Sequence, residues 1–154
     1  MATYGHTLPG PALAVNKVIV KDILANGTAA VVEIQQPKNS IVENVYVRIL
    51  DDITVASDVD IAFQMGATNS SADIVAAAAT GILEGGDALT VSAGNVFKYD
   101  AVAGTAGPST TGVTDGAGSY QTTARTLYAQ FTTGAAAVSA QGGIELSCVY
   151  RIFE

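Results

Sequence analysis

Residues 58–65 read Asp-Val-Asp-Ile-Ala-Phe-Gln-Met, and the spacing of apolar residues in this stretch decides the fold class. One set of alternate positions is apolar throughout: Val59, Ile61, Phe63 and Met65. The other set is polar or small: Asp58, Asp60, Ala62 and Gln64. A helix would spread the apolar set around its circumference, because its period is 3.6 residues rather than 2. The stretch therefore predicts a β-strand with one buried face and one wetter face.

Two longer stretches repeat this alternation. In residues 41–50 (IVENVYVRIL), Val45, Val47 and Ile49 point one way, whereas Asn44, Tyr46 and Arg48 point the other. Residues 144–153 (IELSCVYRIF) predict a final strand that is normally fixed between or beside other strands. One face of that strand consists of Ile144, Leu146, Cys148, Tyr150 and Ile152. The opposite face carries Val149 and Phe153, which are unusually apolar for a row that meets solvent.

Shorter segments supply the remaining strands. We expect them at residues 17–24, 29–35, 88–92, 95–99 and 126–132, and Asn26-Gly27 predicts a hairpin between the first two. Residues 73–80 (DIVAAAAT) combine helix-favouring alanines with a short length, and we interpret them as a strand followed by a turn at 82–85. About eight strands without a sustained helix predict an antiparallel β-sandwich. A jelly-roll connection is our first choice and an immunoglobulin-like one the second.

The first sixteen residues differ from the rest of the chain. Pro9-Gly10-Pro11 prevents regular structure, so residues 1–16 are expected to form an extended N-terminal arm and residues 17–154 a single domain. The beginning of the chain lacks the basic and apolar regions of a signal peptide, and no apolar run is long enough to span a bilayer. Six apolar residues of the arm and the last strand are candidate contacts with another protein surface: Tyr4, Leu8, Leu13, Val15, Val149 and Phe153.

The charge pattern excludes some partners. The 154 residues contain 14 acidic and 7 basic residues, for a net charge of −7. The basic residues are scattered singly along the sequence, whereas a nucleic-acid site needs clustered cations that neutralise phosphates. We therefore expect neither a nucleic acid nor an anionic membrane as a partner.

Catalytic chemistry is sparse. His6 is the single histidine and Cys148 the single cysteine, which argues against a catalytic triad, an ordinary zinc site and a disulfide. We expect Cys148 to be a small buried apolar residue and the protein to be neither an enzyme nor a cofactor carrier. Four carboxylates bracket an inter-strand loop expected at residues 53–57, and we interpret them as its solvated edge, with a weak calcium site as the alternative: Asp51, Asp52, Asp58 and Asp60.

A long loop is the last candidate feature. Residues 104–119 consist mainly of Gly, Thr, Ser and Ala, and loops of this length are usually functional or disordered. Tyr99 and Tyr120 flank the loop. Either they face outward together as a platform for sugar rings, or they anchor the base of the loop.

The stretch from Ser40 to Thr80 resembles small β-sandwich proteins found on tailed-phage particles. It reads SIVENVYVRILDDITVASDVDIAFQMGATNSSADIVAAAAT. The resembling features are an Ile/Val strand after a Pro-Lys-Asn-Ser turn, an Asp-flanked strand that ends in Gly66-Ala67-Thr68, and the segment DIVAAAAT. The closing strand GGIELSCVYRIF has the same style, so the resemblance covers roughly residues 30–154.

This resemblance implies a capsid decoration (cement) protein with a jelly-roll fold. Such a protein is often a homotrimer, sits on the outside of the virion head and binds the major capsid protein. It would be synthesised in the host cytoplasm. The resemblance also leaves open a receptor- or glycan-binding module of a head or tail fibre, in which residues 104–119 would carry recognition.

Overall fold

The computed structural model describes residues 12–21, 30–55, 61–69, 71–83, 89–100, 120–133 and 138–153. These residues form nine β-strands, in keeping with the Val, Ile and Thr content of the chain. The strands are β1 (Ala12–Lys21), β2 (Ala30–Gln36), β3 (Ser40–Val55), β4 (Ile61–Gly66), β5 (Val75–Leu83), β6 (Leu89–Val91), β7 (Val96–Asp100), β8 (Arg125–Thr133) and β9 (Val138–Ile152).

The strands form two antiparallel sheets. The five-stranded sheet has the order β1-β9-β3-β6, with β7 also paired to β3, and the four-stranded sheet has the order β2-β8-β4-β5. The two sheets pack face to face and enclose one apolar core, so the predicted antiparallel β-sandwich is confirmed. In the described part of the chain no helix is long and apolar enough to cross a membrane.

β6 and β7 act as two pieces of one strand. β6 pairs with the end of β3 and β7 with its middle, and residues 92–95 interrupt the pairing between them. The interruption is tied to β3, because Gly94 N–H donates to Ile49 O at 2.8 Å and Ala93 N–H donates to Asp52 Oδ1 at 2.7 Å. Counting this broken strand once gives the eight strands that the sequence predicted.

Strand pairing is nested along the chain. β1 pairs with β9, β2 with β8, β3 with β6 and β7, and β4 with β5, so the first strand meets the last and the partners become closer in sequence toward the middle. β9 lies between β1 and β3 in the five-stranded sheet, as expected for a closing strand. Its pairing with β3 extends from Ser40 opposite Ile152 to Val55 opposite Val138.

Burial confirms the faces predicted for β3, β4 and β9, and β8 shows the same alternation. Val45, Val47 and Ile49 of β3 have no exposed surface. The inward rows of the other strands are equally buried: Ile61, Phe63 and Met65 of β4, Leu127, Ala129 and Phe131 of β8, and Ile144, Leu146, Cys148 and Tyr150 of β9. Residues 75–80 are part of β5, as predicted, but β5 continues to Leu83 past the expected start of a turn.

The hairpin predicted at Asn26-Gly27 is wrong. The strands on either side of it belong to different sheets, because β1 pairs with β9 and β2 pairs with β8. Residues 22–29 therefore connect the two sheets, although their own structure lies outside the described residues. The short-range turn signal does not report which sheet each strand joins.

The boundary between arm and domain also differs from the sequence expectation. Residues 12–16 are the first half of β1 and pair with residues 148–152 of β9. Within this pairing Ala14 and Asn16 face inward and Leu13 and Val15 face outward, which is the ordinary alternation of a strand. Residues 12–16 therefore belong to the sandwich. Residues 1–11, which include Pro9-Gly10-Pro11, lie outside the described residues.

Gly142 and Gly143 both lie inside β9. Gly142 has a φ of 61°, a left-handed conformation that glycine adopts without steric cost. It stands opposite a register shift in β3 between Ile49 and Asp51. The pair therefore forms an irregularity that bends the long β3–β9 ribbon rather than a terminus.

Candidate functional site

The predicted contact residues separate into two groups in the structure. Leu13 and Val15 lie on the outward side of β1 and are 64% and 51% exposed. Val149 is the direct cross-strand partner of Val15, so these three apolar residues meet on one surface. Phe153 lies beyond the end of β9, and Tyr4 and Leu8 lie outside the described residues.

Ile19 is an exposed apolar residue that the sequence interpretation missed. It follows Leu13 and Val15 on the same side of β1 and is 62% exposed. The signal was present in the alternation of residues 17–21, in which Val18 and Val20 form the inward set. The sequence alone did not show that Ile19 shares one side of a strand with Leu13 and Val15, because residues 12–16 were expected to belong to the arm rather than to β1.

We call the solvent-facing side of the five-stranded sheet the outer face. β1, β9, β3 and β7 present their outward positions there, in register across the sheet. Along one row Lys17, Ser147, Tyr46 and Lys98 lie side by side, and along the next row Ile19, Glu145, Arg48 and Val96 do so. The face thus mixes exposed aliphatic side chains with charged ones.

The outer face also gathers the basic residues. Five of the seven in the chain occupy outward positions on β1, β3, β7 and β9: Lys17, Lys21, Arg48, Lys98 and Arg151. They are scattered in the sequence because they come from four different strands. Only Lys17 and Lys21 share one, and they are four residues apart in β1. The fold, rather than the local sequence, concentrates them.

Two of these cations form ion pairs on the face. Lys17 Nζ lies 3.3 Å from Glu145 Oε1, and Arg151 pairs with Glu43. Pairs at such partly exposed sites contribute little to stability. Their effect is to fix the positions of long side chains around Val15 and Val149.

The solvent-facing side of the four-stranded sheet is different in character. Its side chains include a chain of amides in which Gln64 Nε2 donates to Gln130 Oε1 at 2.6 Å and Gln130 Nε2 donates to Asn69 Oδ1 at 2.8 Å. Among its described outward positions, Glu33 is the one charged residue. The outer face therefore carries more charged residues than the solvent-facing side of the four-stranded sheet, and it also exposes more large apolar side chains.

One end of the sandwich is fixed by a polar cluster around the turn between β2 and β3. Gln36 and Ser40 are fully buried, and Gln36 Oε1 accepts a hydrogen bond of 2.8 Å from Arg125 Nε. Asn39, with a φ of 54°, accepts a hydrogen bond from the Tyr120 hydroxyl. These bonds hold the segment before β8 against the turn.

Phe153 lies at the same end of the sandwich. Its N–H donates to Asn39 O at 2.8 Å, and its ring meets the Tyr120 ring edge-on with centroids 5.6 Å apart. β1 also begins at this end, because Ala12 pairs with Ile152. Phe153 and Tyr120 thus form an exposed aromatic pair beside the point from which residues 1–11 continue.

Tyr99 does not join Tyr120 in an outward platform. It faces inward from β7, and its ring lies 4.6 Å from the Phe63 ring in the core. Because burial disfavours the phenolate, the pKa of Tyr99 rises to about 12. The outward platform, one of the two alternatives that the sequence left open, is therefore not formed, and residues 104–119 between the two tyrosines lie outside the described residues.

The four candidate calcium ligands are only partly described. Asp51 and Asp52 lie within β3, which extends through Ile53–Val55 where a loop was expected. Asp52 uses one carboxylate oxygen to accept the Ala93 N–H, and Asp58 and Asp60 lie outside the described residues. No group of three or more His, Cys, Asp or Glu side chains in the described ranges could hold a metal ion.

Cys148 is buried, as predicted, and its Sγ lies 4.0 Å from Met65 Sδ. Burial raises the pKa of its thiol to about 12. Burial, together with the neighbouring Cys148 thiol, also raises the pKa of Tyr150. Both groups are therefore neutral at physiological pH and act as core material rather than as reactive groups.

These raised pKa values predict an alkaline loss of stability. Cys148 and Tyr99 release their protons near pH 9 and 10 in the unfolded chain but near pH 12 in the native protein. Between these values the native state binds more protons than the unfolded state, so the free energy of unfolding should fall as the pH rises above about 9. Urea denaturation at pH 7, 9 and 10.5 checks this, with Cys148→Val expected to reduce the slope. A midpoint that does not change over this range would contradict the described burial.

Sequence comparison gives no relative: neither a protein-family model nor a curated protein matches the chain. Comparison of structures does give neighbours. A chain in the structure "Capsid of Ralstonia phage GP4" aligns over 100% of this chain and 92% of that chain, with a TM-score of 0.54 and 14% identity. A chain in "Cyanophage Pam1 capsid asymmetric unit" aligns over 99% and 93%, with a TM-score of 0.46 and 16% identity. At this identity, the first neighbour shows a shared fold.

Proposed function

We propose that this protein is a structural virion component, a decoration (cement) subunit that binds the outside of a phage capsid and stabilises it. The observation that carries the proposal is the fold shared with a chain of the Ralstonia phage GP4 capsid structure over nearly the whole of both chains. The two chains are therefore of similar length, and the likeness is not confined to one motif. The partners in this proposal are the major capsid protein and further copies of the chain, in a homotrimer.

The nested strand order supports a jelly-roll connection rather than an immunoglobulin-like one. A jelly roll has two four-stranded layers in which the chain passes repeatedly from one sheet to the other. Here β1, β3, β6 with β7, and β9 belong to one sheet, and β2, β4, β5 and β8 belong to the other. This order corresponds to a long antiparallel hairpin, with β4 and β5 at its tip, that has rolled up.

The surface chemistry supports a role in assembly. Leu13, Val15 and Ile19 are more than half exposed on an edge strand, where unpaired backbone and apolar side chains are normally shielded. A neighbouring protein would remove this surface from water. In the same proposal, the segment 1–11 and the adjacent aromatic pair Tyr120 and Phe153 contact the capsid.

The alternative, a receptor- or glycan-binding module of a fibre, receives less support from the geometry. In that module residues 104–119, which lie outside the described residues, would carry recognition. Tyr99, one of the two tyrosines that flank them, packs against Phe63 in the core and offers no ring for a ligand to stack on. Exposed aromatic rings are the usual surface on which proteins stack planar or ring-shaped ligands. The decoration role needs no such platform.

Deleting residues 1–11 should abolish binding to the capsid and leave the fold intact. The deletion must stop before Ala12, because residues 12–16 pair with β9 and their removal would open the sheet. The measurement is co-sedimentation of the purified protein with heads of its source phage that lack it, and a thermal melt of the truncated protein is the control. Decoration at unchanged affinity would show that the segment is not the capsid contact.

The role itself is tested with the full-length protein. We expect saturable binding to heads at a fixed number of copies per capsid, with density on the outer surface of the particle in electron cryomicroscopy. Heads that carry the protein should withstand heat or chelation better than bare heads. A protein that is absent from the particle, or lies inside it, would rule out the decoration role.

A further inference from the structure

We propose that the aromatic pair of Tyr120 and Phe153 is the docking site of residues 9–11 (Pro-Gly-Pro) of the same chain, with Pro11 packed against the Phe153 ring. Residues 9–11 lie outside the described residues, whereas every residue of the docking site lies within them. The docking deepens the proposed function, because it holds the base of the segment that is proposed there to contact the capsid. It is a property of the free protein and can be tested without the capsid.

The covalent chain brings Pro11 to the aromatic pair. Ala12, the first described residue, pairs directly with Ile152 of β9. Consecutive Cα atoms are about 3.8 Å apart, so the Cα of Pro11 lies at that distance from the Cα of Ala12. Phe153 is bonded to Ile152 in the same way. Pro11 and Phe153 are therefore attached to two residues that face each other across the strands.

The alternation of β1 and β9 gives the side of the sheet. Leu13 is an outward residue of β1 and pairs with Arg151, an outward residue of β9. One further outward step in this register places position 11 opposite Phe153 on the outer face. Directly opposed residues of an antiparallel pair have Cβ atoms about 4.5–5.5 Å apart, which brings a proline ring and a phenyl ring into contact.

The direction of the backbone hydrogen bonds explains why a proline fits at this position. Phe153 N–H donates to Asn39 O at 2.8 Å and therefore points away from β1. Position 11 and Phe153 thus form a non-hydrogen-bonded pair, in which side chains approach most closely and both N–H groups point away from the partner strand. Because β1 is the edge strand of its sheet, a proline at position 11 loses no hydrogen bond of the ladder.

The aromatic pair is a preformed surface. Within the described part of the chain, Tyr120 at 49% and Phe153 at 36% are the two exposed aromatic side chains. Asn39 fixes both of them, because its Oδ1 accepts a hydrogen bond of 3.1 Å from the Tyr120 hydroxyl and its backbone oxygen accepts the Phe153 N–H. Exposed aromatic rings are the surface on which proline-rich segments dock in many recognition domains.

Tyr120 and Pro11 reach the Phe153 ring from opposite sides. Tyr120 precedes Gln121, which bridges to Ser40 at the start of β3. β9 lies between β3 and β1, so Tyr120 comes from the side of β3 and Pro11 from the side of β1. The Phe153 ring is therefore held between its edge-on contact with Tyr120 and the proline.

Docking fixes the point from which residues 1–8 continue. That point lies on the outer face, at the end of the sandwich that carries Asn39 and Phe153. A segment that is fixed at its base loses less conformational entropy on binding than a free one, so more of its contact energy appears as affinity. In the proposed function, the docked prolines would strengthen the contact with the capsid in this way.

Nuclear magnetic resonance of the isotope-labelled full chain tests the docking. We expect nuclear Overhauser effects between the Pro11 ring protons and the Phe153 ring. The order parameter of the Gly10 amide should exceed about 0.6, the value below which a backbone is flexible. Phe153→Leu keeps an apolar side chain without the ring and should lower this order parameter below about 0.6, whereas Phe153→Tyr keeps the ring and should leave it unchanged.

Two more variants provide the controls. Pro11→Ala removes the contact from the other partner and should lower the Gly10 order parameter as Phe153→Leu does. Val96→Ala truncates an exposed apolar residue on β7, away from this end of the outer face, and should have no effect. A thermal melt of each variant confirms folding. Absence of the Overhauser effects in the wild type, or equal changes in Phe153→Leu and Val96→Ala, would overturn the docking.

A sample of labelled and unlabelled chains refolded together separates docking within one chain from docking between copies. Effects that appear only between labelled and unlabelled chains would overturn the assignment to the same chain. The outcome is also independent of the decoration role. Docking in a protein that does not bind phage heads would support the inference and refute that role, whereas head binding without docking would do the reverse.

Discussion

Replacing Phe63 with alanine should lower the free energy of unfolding by about 3–5 kcal/mol. Phe63 has no exposed surface and lies at the middle of β4, facing the opposite sheet. Its ring centroid lies 4.9 Å from that of Phe131 and 4.6 Å from that of Tyr99, so the side chain joins both sheets. Truncation removes these contacts and leaves a cavity, which rigid strands on both sides prevent from collapsing.

Phe153→Ala is the matched control, because it makes the same chemical change at a residue that is 36% exposed. We expect it to cost about 1 kcal/mol or less, since the ring gives up little buried surface and one edge-on contact with Tyr120. Urea denaturation followed by circular dichroism measures both variants. Similar midpoints for the two would mean that Phe63 does not occupy the centre of the core.

The second large effect is expected at Gly142, where alanine should cost about 2–5 kcal/mol. A left-handed conformation costs a residue with a Cβ about 1–2 kcal/mol, and overpacking adds about 1–3 kcal/mol. A Cβ at Gly142 would lie 2.8 Å from Asp51 O and closer still to Ile53 Cγ1. Neither backbone nor buried isoleucine can move without disturbing the β3–β9 pairing.

The Gly94→Ala variant separates the conformational cost of a left-handed residue from the steric cost of its Cβ. Gly94 also has a positive φ, of 93°, but a Cβ there meets nothing within 4 Å. Its cost should therefore be the conformational part alone, about 1–2 kcal/mol. The difference between the two variants in the same denaturation experiment gives the steric part. Equal costs would show that the β3–β9 ribbon accommodates a side chain at Gly142.

Patterns local to one strand were sufficient to predict the core. The alternation in residues 58–65 identified Ile61, Phe63 and Met65, and the alternation in residues 144–153 identified the inward row of β9. These predictions succeeded because burial on one side of a sheet imposes a period of two directly on the sequence. The same periodicity predicted that two sheets must cover each other's apolar sides.

Features that depend on pairing between distant residues could not be predicted. The hairpin assigned to Asn26-Gly27 failed because a turn signal does not specify sheet membership, and β1 instead pairs with residues 143–152. The irregularity at Gly142 and Gly143 could not be predicted, because it depends on the register shift in β3 between Ile49 and Asp51. The cations Lys17, Arg48 and Lys98 seemed scattered because only the strand order brings them to one face.

The central position of β9 has a consequence for biogenesis. β1 has no partner in the five-stranded sheet, and β3 lacks one of its neighbours, until the fifteen residues of β9 are synthesised. Contacts between residues so far apart in sequence form slowly, because the loop entropy must be overcome first. During translation the growing chain therefore displays an unpaired β1, and the sheet is completed only after β9 has been made.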